Sequence, residues 1–167
     1  MSTTPLRCLI LACGNSLRED DGVGLRLAEW AETRFCSEAD VRVLARQQWT
    51  PELADDISDA ESVIFIDCAA NSTPGMVRMA PVAPSAELPR LLTHHFGAAD
   101  LLAICSFYYS SLPRTAMLLT VGAASLELRE GLSDVVSAAL SGAESLLEET
   151  VLHLLATTTE RNTIQNS

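Results

Sequence analysis

The sequence predicts a single-domain α/β fold, in which a twisted, mostly parallel sheet of about five strands is sandwiched between helices. Apolar runs at 7–13 and 62–66 are typical of strands covered on both faces, and they alternate with segments of helical periodicity. Segment 76–80 follows a Pro-Gly turn and alternates apolar and polar residues, which predicts one antiparallel edge strand. With 167 residues, 48% of them hydrophobic, the chain can bury one full core.

Each element is predicted from its own pattern. The strand patterns lie at 7–13, 41–45, 62–66, 76–80 and 115–121. The helical patterns lie at 23–35, from 51 onward, from 98 onward and at 132–151, and segment 81–89 is expected to be a loop. Thr50 is expected to cap the second helix, and Ser133 or Ser125 the last one. We expect one domain over 1–156 and a polar, disordered tail over 157–167.

Charge and cysteine content exclude several classes of protein. The chain carries 22 acidic and 11 basic side chains, a net charge of −11, which disfavours nucleic acid and anionic lipid as partners. No segment approaches the roughly 18 apolar residues of a membrane helix. Five cysteines, an odd number without a C-x-x-C pair, are typical of a reducing compartment, so we expect a cytoplasmic protein.

Acidic residues follow two of the predicted strands. Glu19, Asp20 and Asp21 come after the first strand, and Asp67 comes directly after segment 62–66. Ligands of such sheets bind outside the carboxyl ends of the strands, so these side chains are candidates for one shared site. Taken singly, Asp20 or Asp21 could instead cap the following helix, and Asp67 could equally cap its loop. Three adjacent carboxylates repel one another, which favours a site for a cation.

Two histidines add a second type of ligand. His94 and His95 lie in the segment before the third helix, and imidazole nitrogen combined with carboxylate oxygen suits a divalent ion such as zinc or nickel. In isolation, loop histidines are more often solvated than bound to a metal. A serine hydrolase is disfavoured because G-x-S-x-G is absent, and nucleotide binding because the acidic loop matches no phosphate motif. Cys13 and Cys68 are poor nucleophile candidates because neighbouring carboxylates raise a thiol pKa.

Four motifs in this order resemble those of the hydrogenase maturation endopeptidases, which trim the C-terminus of the nickel-iron hydrogenase large subunit. The resemblance extends over most of the chain, and its motifs are CGNSLREDDGVG, IFIDCA, a Pro-Gly pair and THHFGAADLLA. The first family motif, G-N-x-L-x-x-D-D/E-G-x-G, is matched by Gly14, Asn15, Leu17, Asp20, Asp21, Gly22 and Gly24. The resemblance therefore implies a peptidase of aspartate or metal-dependent type.

The resemblance also implies a site. Asp21, Asp67 and His94 would be the metal-binding and catalytic residues, with His95 as the alternative to His94. They would recognise nickel already inserted in the large-subunit precursor, so the metal belongs to the substrate and no organic cofactor is expected. That nickel could polarise the scissile carbonyl or activate a water. Asp20 is expected to cap the helix and orient Asp21.

One departure from the family pattern leaves a second function open. Ala12 and Cys13 precede Gly14, where the family usually has a glycine near the first position. This departure supports the alternative hypothesis of a non-catalytic, metal-sensing or chaperone-like binder of the same precursor.

Overall fold

A five-stranded mixed sheet forms the centre of the protein. The computed structural model describes residues 6–88 and 96–165, with side chains described up to residue 157. The strands are β1 (Leu6–Cys13), β2 (Val41–Arg46), β3 (Ala60–Ala69), β4 (Val77–Pro81) and β5 (Thr115–Gly122). Their order is β2-β1-β3-β5-β4, and β4 runs antiparallel to β5 while the other pairs are parallel. The predicted fold class is thereby confirmed.

Helices cover both faces of this sheet. They are α1 (Val23–Arg34), α2 (Leu53–Ser58), α3 (Ala98–Ile104) and α4 (Asp134–Gln165), with a short 3₁₀ helix at Glu19–Gly22 and a π-helical turn at Cys105–Tyr109. Ile10 of β1 belongs to the core formed with α1 and α4, whereas Leu9 and Leu11 belong to the core formed with α2 and α3. Successive side chains of a strand point to opposite faces, so a strand between two helical layers must be apolar throughout.

Strand β3 extends further than the sequence indicates. Its last pair with β1 joins Ile66 to Ala12, but it continues beside β5 up to the pair of Ala69 with Gly122. The sequence predicted that the strand ends at Asp67, and this prediction was wrong. Asp67 lies within β3 at the first position beyond the end of β1, because β5 continues to supply hydrogen bonds there.

The helix starts agree with the sequence in one case and differ in another. Ser133 accepts a hydrogen bond at its Oγ from the Val136 amide at 3.4 Å, which confirms it as the capping residue of α4. The prediction for α2 was wrong, because that helix begins at Leu53 after Glu52. The Thr50 carbonyl accepts from the Leu53 amide at 3.1 Å, so Thr50 belongs to the turn that precedes the helix.

The last helix differs from the tail expected over 157–167. The backbone of α4 is helical to Gln165. Once the packed part of a helix has formed, each further residue is added without a new nucleation cost, and this favours extension into a polar segment. None of the helices within the described ranges is long and apolar enough to cross a membrane.

Candidate active site

Two glycines allow the acidic segment to fold tightly against the end of β1. A Cβ atom at Gly14 would lie 2.0 Å from the Asp21 backbone oxygen, and one at Gly24 would lie 2.2 Å from the Cys13 backbone oxygen. Neither position accepts a side chain without moving the backbone, which explains the glycines of the first motif. The segment is thereby held at the carboxyl edge of the sheet.

The first two of the three adjacent acids are structural. Glu19 is 3% exposed and forms an ion pair with Arg129, whose backbone oxygen also accepts from the Glu19 amide at 2.8 Å. Asp20 is fully buried. Its Oδ1 accepts from the Ser133 amide at 2.7 Å, and its Oδ2 accepts from the amides of Ala124 and Ser125 at 2.8 and 3.0 Å. These contacts join the motif to the segment that leads into α4.

The prediction that Asp20 caps α1 was wrong. The N-cap residue of α1 is Gly22, and no side chain caps that end of the helix. Asp20 Oδ2 also accepts from the Ser133 hydroxyl at 2.9 Å, so the carboxylate helps to anchor the start of α4 instead. Burial acts to raise the pKa of Asp20, but the hydrogen bonds from Ser133, Ala124 and Ser125 outweigh it and lower the pKa.

Asp21 differs from its two neighbours because it is only half-buried and faces a cavity. Its Oδ2 accepts from the Asn15 amide at 2.9 Å, while the Asn15 side-chain oxygen accepts from the Leu17 amide at 3.0 Å. This pair of bonds fixes the loop and orients one oxygen of Asp21. Among the described residues, its Oδ1 has no hydrogen-bond donor.

Asp67 lies at the same edge of the sheet as Asp21. Its Oδ1 accepts from the Cys13 thiol at 3.2 Å and from the Cys68 amide at 2.7 Å. Burial raises the pKa of Asp67, and the negative charge of Asp21 raises it further, against the effect of the two hydrogen bonds. The structure thus brings two of the three predicted site residues close enough for their charges to interact.

The two thiols beside these carboxylates are unsuited to nucleophilic attack. Burial, followed by the charges of Asp21, Asp67 and Asp20, raises the pKa of Cys68 to about 12. Burial and the charge of Asp67 also raise the pKa of Cys13. A thiol is nucleophilic as the thiolate, so neither cysteine is activated at neutral pH.

A cavity of about 280 Å³ opens beside Asp21. It is lined by Gly14, Asn15, Arg18, Asp21, Gln47, Gln48, Trp49 and Phe96. The residues after β2 were missed at the sequence level, although the carboxyl end of a parallel strand next to β1 must reach this edge. His94 and His95 lie outside the described residues.

Comparisons with known proteins agree on one family, although no protein-family model matches the chain. The hydrogenase 2 maturation protease of Escherichia coli K12 is 29% identical over 145 residues, which cover 83% of this chain and 86% of the relative. The hydrogenase maturating endopeptidase HybD from E. coli has a similar structure, with a TM-score of 0.71 at 25% identity, covering 88% of this chain and 93% of that one. The chain is similar in sequence and in structure to the hydrogenase maturation endopeptidases.

An archaeal structure is similar as well. The NiFe hydrogenase maturation protease HybD from Thermococcus kodakarensis has a TM-score of 0.63 at 27% identity, covering 86% of this chain and 98% of that one. The family relatives are named as proteases or endopeptidases. The fold of the chain is therefore that of proteins named as proteases or endopeptidases.

The described part of the chain places two possible metal ligands, Asp21 and Asp67, at the candidate site. Among residues 6–88 and 96–157, no group of three or more His, Cys, Asp or Glu side chains is arranged to hold a metal ion. Asp21 and Asp67 offer carboxylate oxygens, which suit a divalent cation when a nitrogen ligand or substrate groups complete the coordination.

Proposed function

We propose that this chain is an endopeptidase that removes the C-terminal extension of a nickel-loaded hydrogenase large-subunit precursor. In this proposal, Asp21, Asp67 and His94 recognise the nickel that the precursor carries. The observation that supports it most directly is the pair of motif carboxylates, Asp21 and Asp67, at one sheet edge beside an open cavity.

The hydrogen bonding of the two carboxylates supports a cation as their partner. Each has one oxygen fixed by donors, whereas Asp21 Oδ1 and Asp67 Oδ2 accept no hydrogen bond from the described residues. The charge of Asp21 raises the pKa of Asp67, after the larger effect of burial, and a divalent ion between them would remove that repulsion.

The location of Phe96 also supports a histidine as the third ligand. Phe96 lines the cavity that contains Asp21, and His94 precedes Phe96 by two residues in the sequence. An imidazole nitrogen added to two carboxylates gives a ligand set that nickel accepts. We keep His95 as the alternative ligand.

Cleavage of the peptide bond would use the nickel of the substrate and the two carboxylates. The nickel of the substrate would polarise the scissile carbonyl or a water, and a carboxylate of Asp21 or Asp67 would accept the proton. Cysteine attack is disfavoured because the pKa of Cys13 and of Cys68 is raised. The five free cysteines suit a reducing cytoplasm, where we propose that the protein acts.

The test is to incubate the protein with nickel-loaded large-subunit precursor and to follow the precursor by intact mass. We expect a shortened product with the wild type, and no product with Asp21→Asn, Asp67→Asn or His94→Ala. Asp59→Asn is the matched control, because Asp59 is exposed and lies outside the site. Nickel-free precursor should remain uncut.

Two outcomes would decide against this proposal. A loaded precursor that keeps its full mass, in the presence of wild-type protein that is folded, contradicts endopeptidase activity. If native mass spectrometry then detects a stable complex of the two proteins, the alternative of a non-catalytic, metal-sensing or chaperone-like binder is favoured.

A further inference from the structure

Trp49 has a buried hydrogen-bond donor without a partner in the described part of the chain. The side chain is 4% exposed, and its ring packs edge-on against Phe65 with the centroids 5.3 Å apart. The indole Nε1 nevertheless meets no acceptor among the described residues. A buried N–H group that has lost its water without gaining an acceptor is costly, and such groups in native proteins call for an explanation.

The same cavity is lined by a cationic side chain that has no counter-ion among the described residues. Arg18 lines it together with Trp49, and no carboxylate in the described part of the chain forms an ion pair with Arg18. The side chains of Asn15, Gln47 and Gln48, which also line the cavity, carry amide groups that can donate further hydrogen bonds. The cavity therefore offers several donors, and its acidic group, Asp21, is assigned above to nickel.

We propose that Trp49 and Arg18 form a substrate-binding subsite for an oxygen acceptor of the precursor chain, next to the bond that is cut. This inference rests on the proposed function and adds the chemistry of substrate recognition to it. The acceptor is either the carboxylate of an acidic side chain or a backbone carbonyl. Trp49 donates through Nε1 to either one, and Arg18 adds charge that favours the carboxylate.

Cleavage kinetics with the nickel-loaded precursor test the role of Trp49. Trp49→Phe keeps an aromatic ring against Phe65 and removes the N–H donor together with one ring of the indole, so circular dichroism is used to confirm that the variant is folded. We expect KM to rise about 5- to 30-fold with kcat retained, because the lost bond contributes to binding before the chemical step. Trp30→Phe is the control, since Trp30 lies on α1 and does not line the cavity, and it should leave both constants unchanged.

Arg18 provides a second variant that does not threaten the fold, because its side chain is exposed. Arg18→Met should raise KM by a similar factor if the acceptor is a carboxylate, and by less than about 3-fold if it is a carbonyl. Arg26→Met, which changes another exposed arginine outside the cavity, is the control. Unchanged KM values in both Trp49→Phe and Arg18→Met would overturn the subsite.

A binding measurement separates this inference from the proposed function. The chain has two tryptophans, so the Trp30→Phe variant reports Trp49 fluorescence alone. We expect N-acetyl-glutamate N-methylamide to shift this emission saturably at millimolar concentrations. If the glutamine analogue acts equally, the acceptor is a carbonyl. If neither compound shifts the emission, the subsite is wrong even where the wild type cuts the precursor. A shift without any cleavage retains the subsite and rejects the peptidase.

Discussion

Asp20→Asn tests whether the buried middle acid of the motif anchors the start of α4. An asparagine keeps the shape but replaces one carboxylate oxygen by an NH₂ group. If that group replaces Oδ1, it faces the Ser133 amide, which now donates to Oδ1 at 2.7 Å. One unsatisfied amide costs about 1–3 kcal/mol, and each remaining hydrogen bond weakens by about 1 kcal/mol when its acceptor loses its charge. The variant also no longer has to bury a charge, and this offsets part of the loss. We expect a net loss of about 3 kcal/mol in the free energy of unfolding.

The pH dependence of this loss has a definite sign. Because the folded pKa of Asp20 is lowered, the carboxylate stabilises the fold fully above its unfolded pKa of about 3.9. This contribution is lost as pH falls through the lower, folded pKa. The difference between wild type and Asp20→Asn should therefore be constant from neutral pH to about pH 5 and shrink below about pH 4.

Urea unfolding followed by circular dichroism measures the difference at each pH. Asp59→Asn is the matched control, because it removes an exposed carboxylate and should change stability by less than about 0.5 kcal/mol. If Asp20→Asn is no less stable than this control, the anchor is wrong. A difference that is as large in strong acid as at neutral pH would refute its electrostatic origin.

Three further predictions concern single residues. Gly24→Ala should destabilise the fold by more than about 2 kcal/mol, because its Cβ would lie 2.2 Å from a backbone oxygen. Gly142→Ala, at an open helical position, should instead stabilise the fold by about 0.5–1 kcal/mol. The same urea experiment measures both. Asp67→Asn should raise Tm at neutral pH, because burial and the charge of Asp21 disfavour its carboxylate; a lower Tm would contradict that cause. In a thiol titration of the native protein, Cys36, the exposed cysteine, should react rapidly and the other four only after unfolding.

The fold could be predicted from the sequence because its central strands, β1 and β3, are buried on both faces. The run at 7–13 has no polar position after Arg7, and the structure places helices on both sides of it. The lengths of the strands were harder to predict, because they depend on neighbouring strands that are distant in sequence. Asp67 looks like the end of a strand until β5 is known to continue beside it to Gly122. The start of α2 depends on turn geometry that Thr50 and Pro51 alone do not determine.

The site was predicted in part. The first motif and the end of the third predicted strand placed Asp21 and Asp67 at one edge of the sheet, because the carboxyl ends of neighbouring parallel strands meet there; their role as site residues stays a prediction. The sequence could not distinguish the roles of adjacent acids, since the partners of Asp20 lie more than 100 positions away along the chain. Trp49 was missed because an aromatic residue after a strand has no pattern that separates packing from binding.

The three acids show why the density of charge in a sequence is a weak measure of a binding site. Glu19 is paired with Arg129, and the Asp20 carboxylate accepts hydrogen bonds from the segment that leads into α4, so both acids have partners of their own. Mutual repulsion among adjacent carboxylates therefore does not require a cation at all three. In the proposed function, a cation is favoured only where two carboxylates each keep an oxygen that accepts no hydrogen bond from the described residues, as Asp21 and Asp67 do. Changing Asp20 should consequently act on stability, whereas changing Asp21 should act on the substrate.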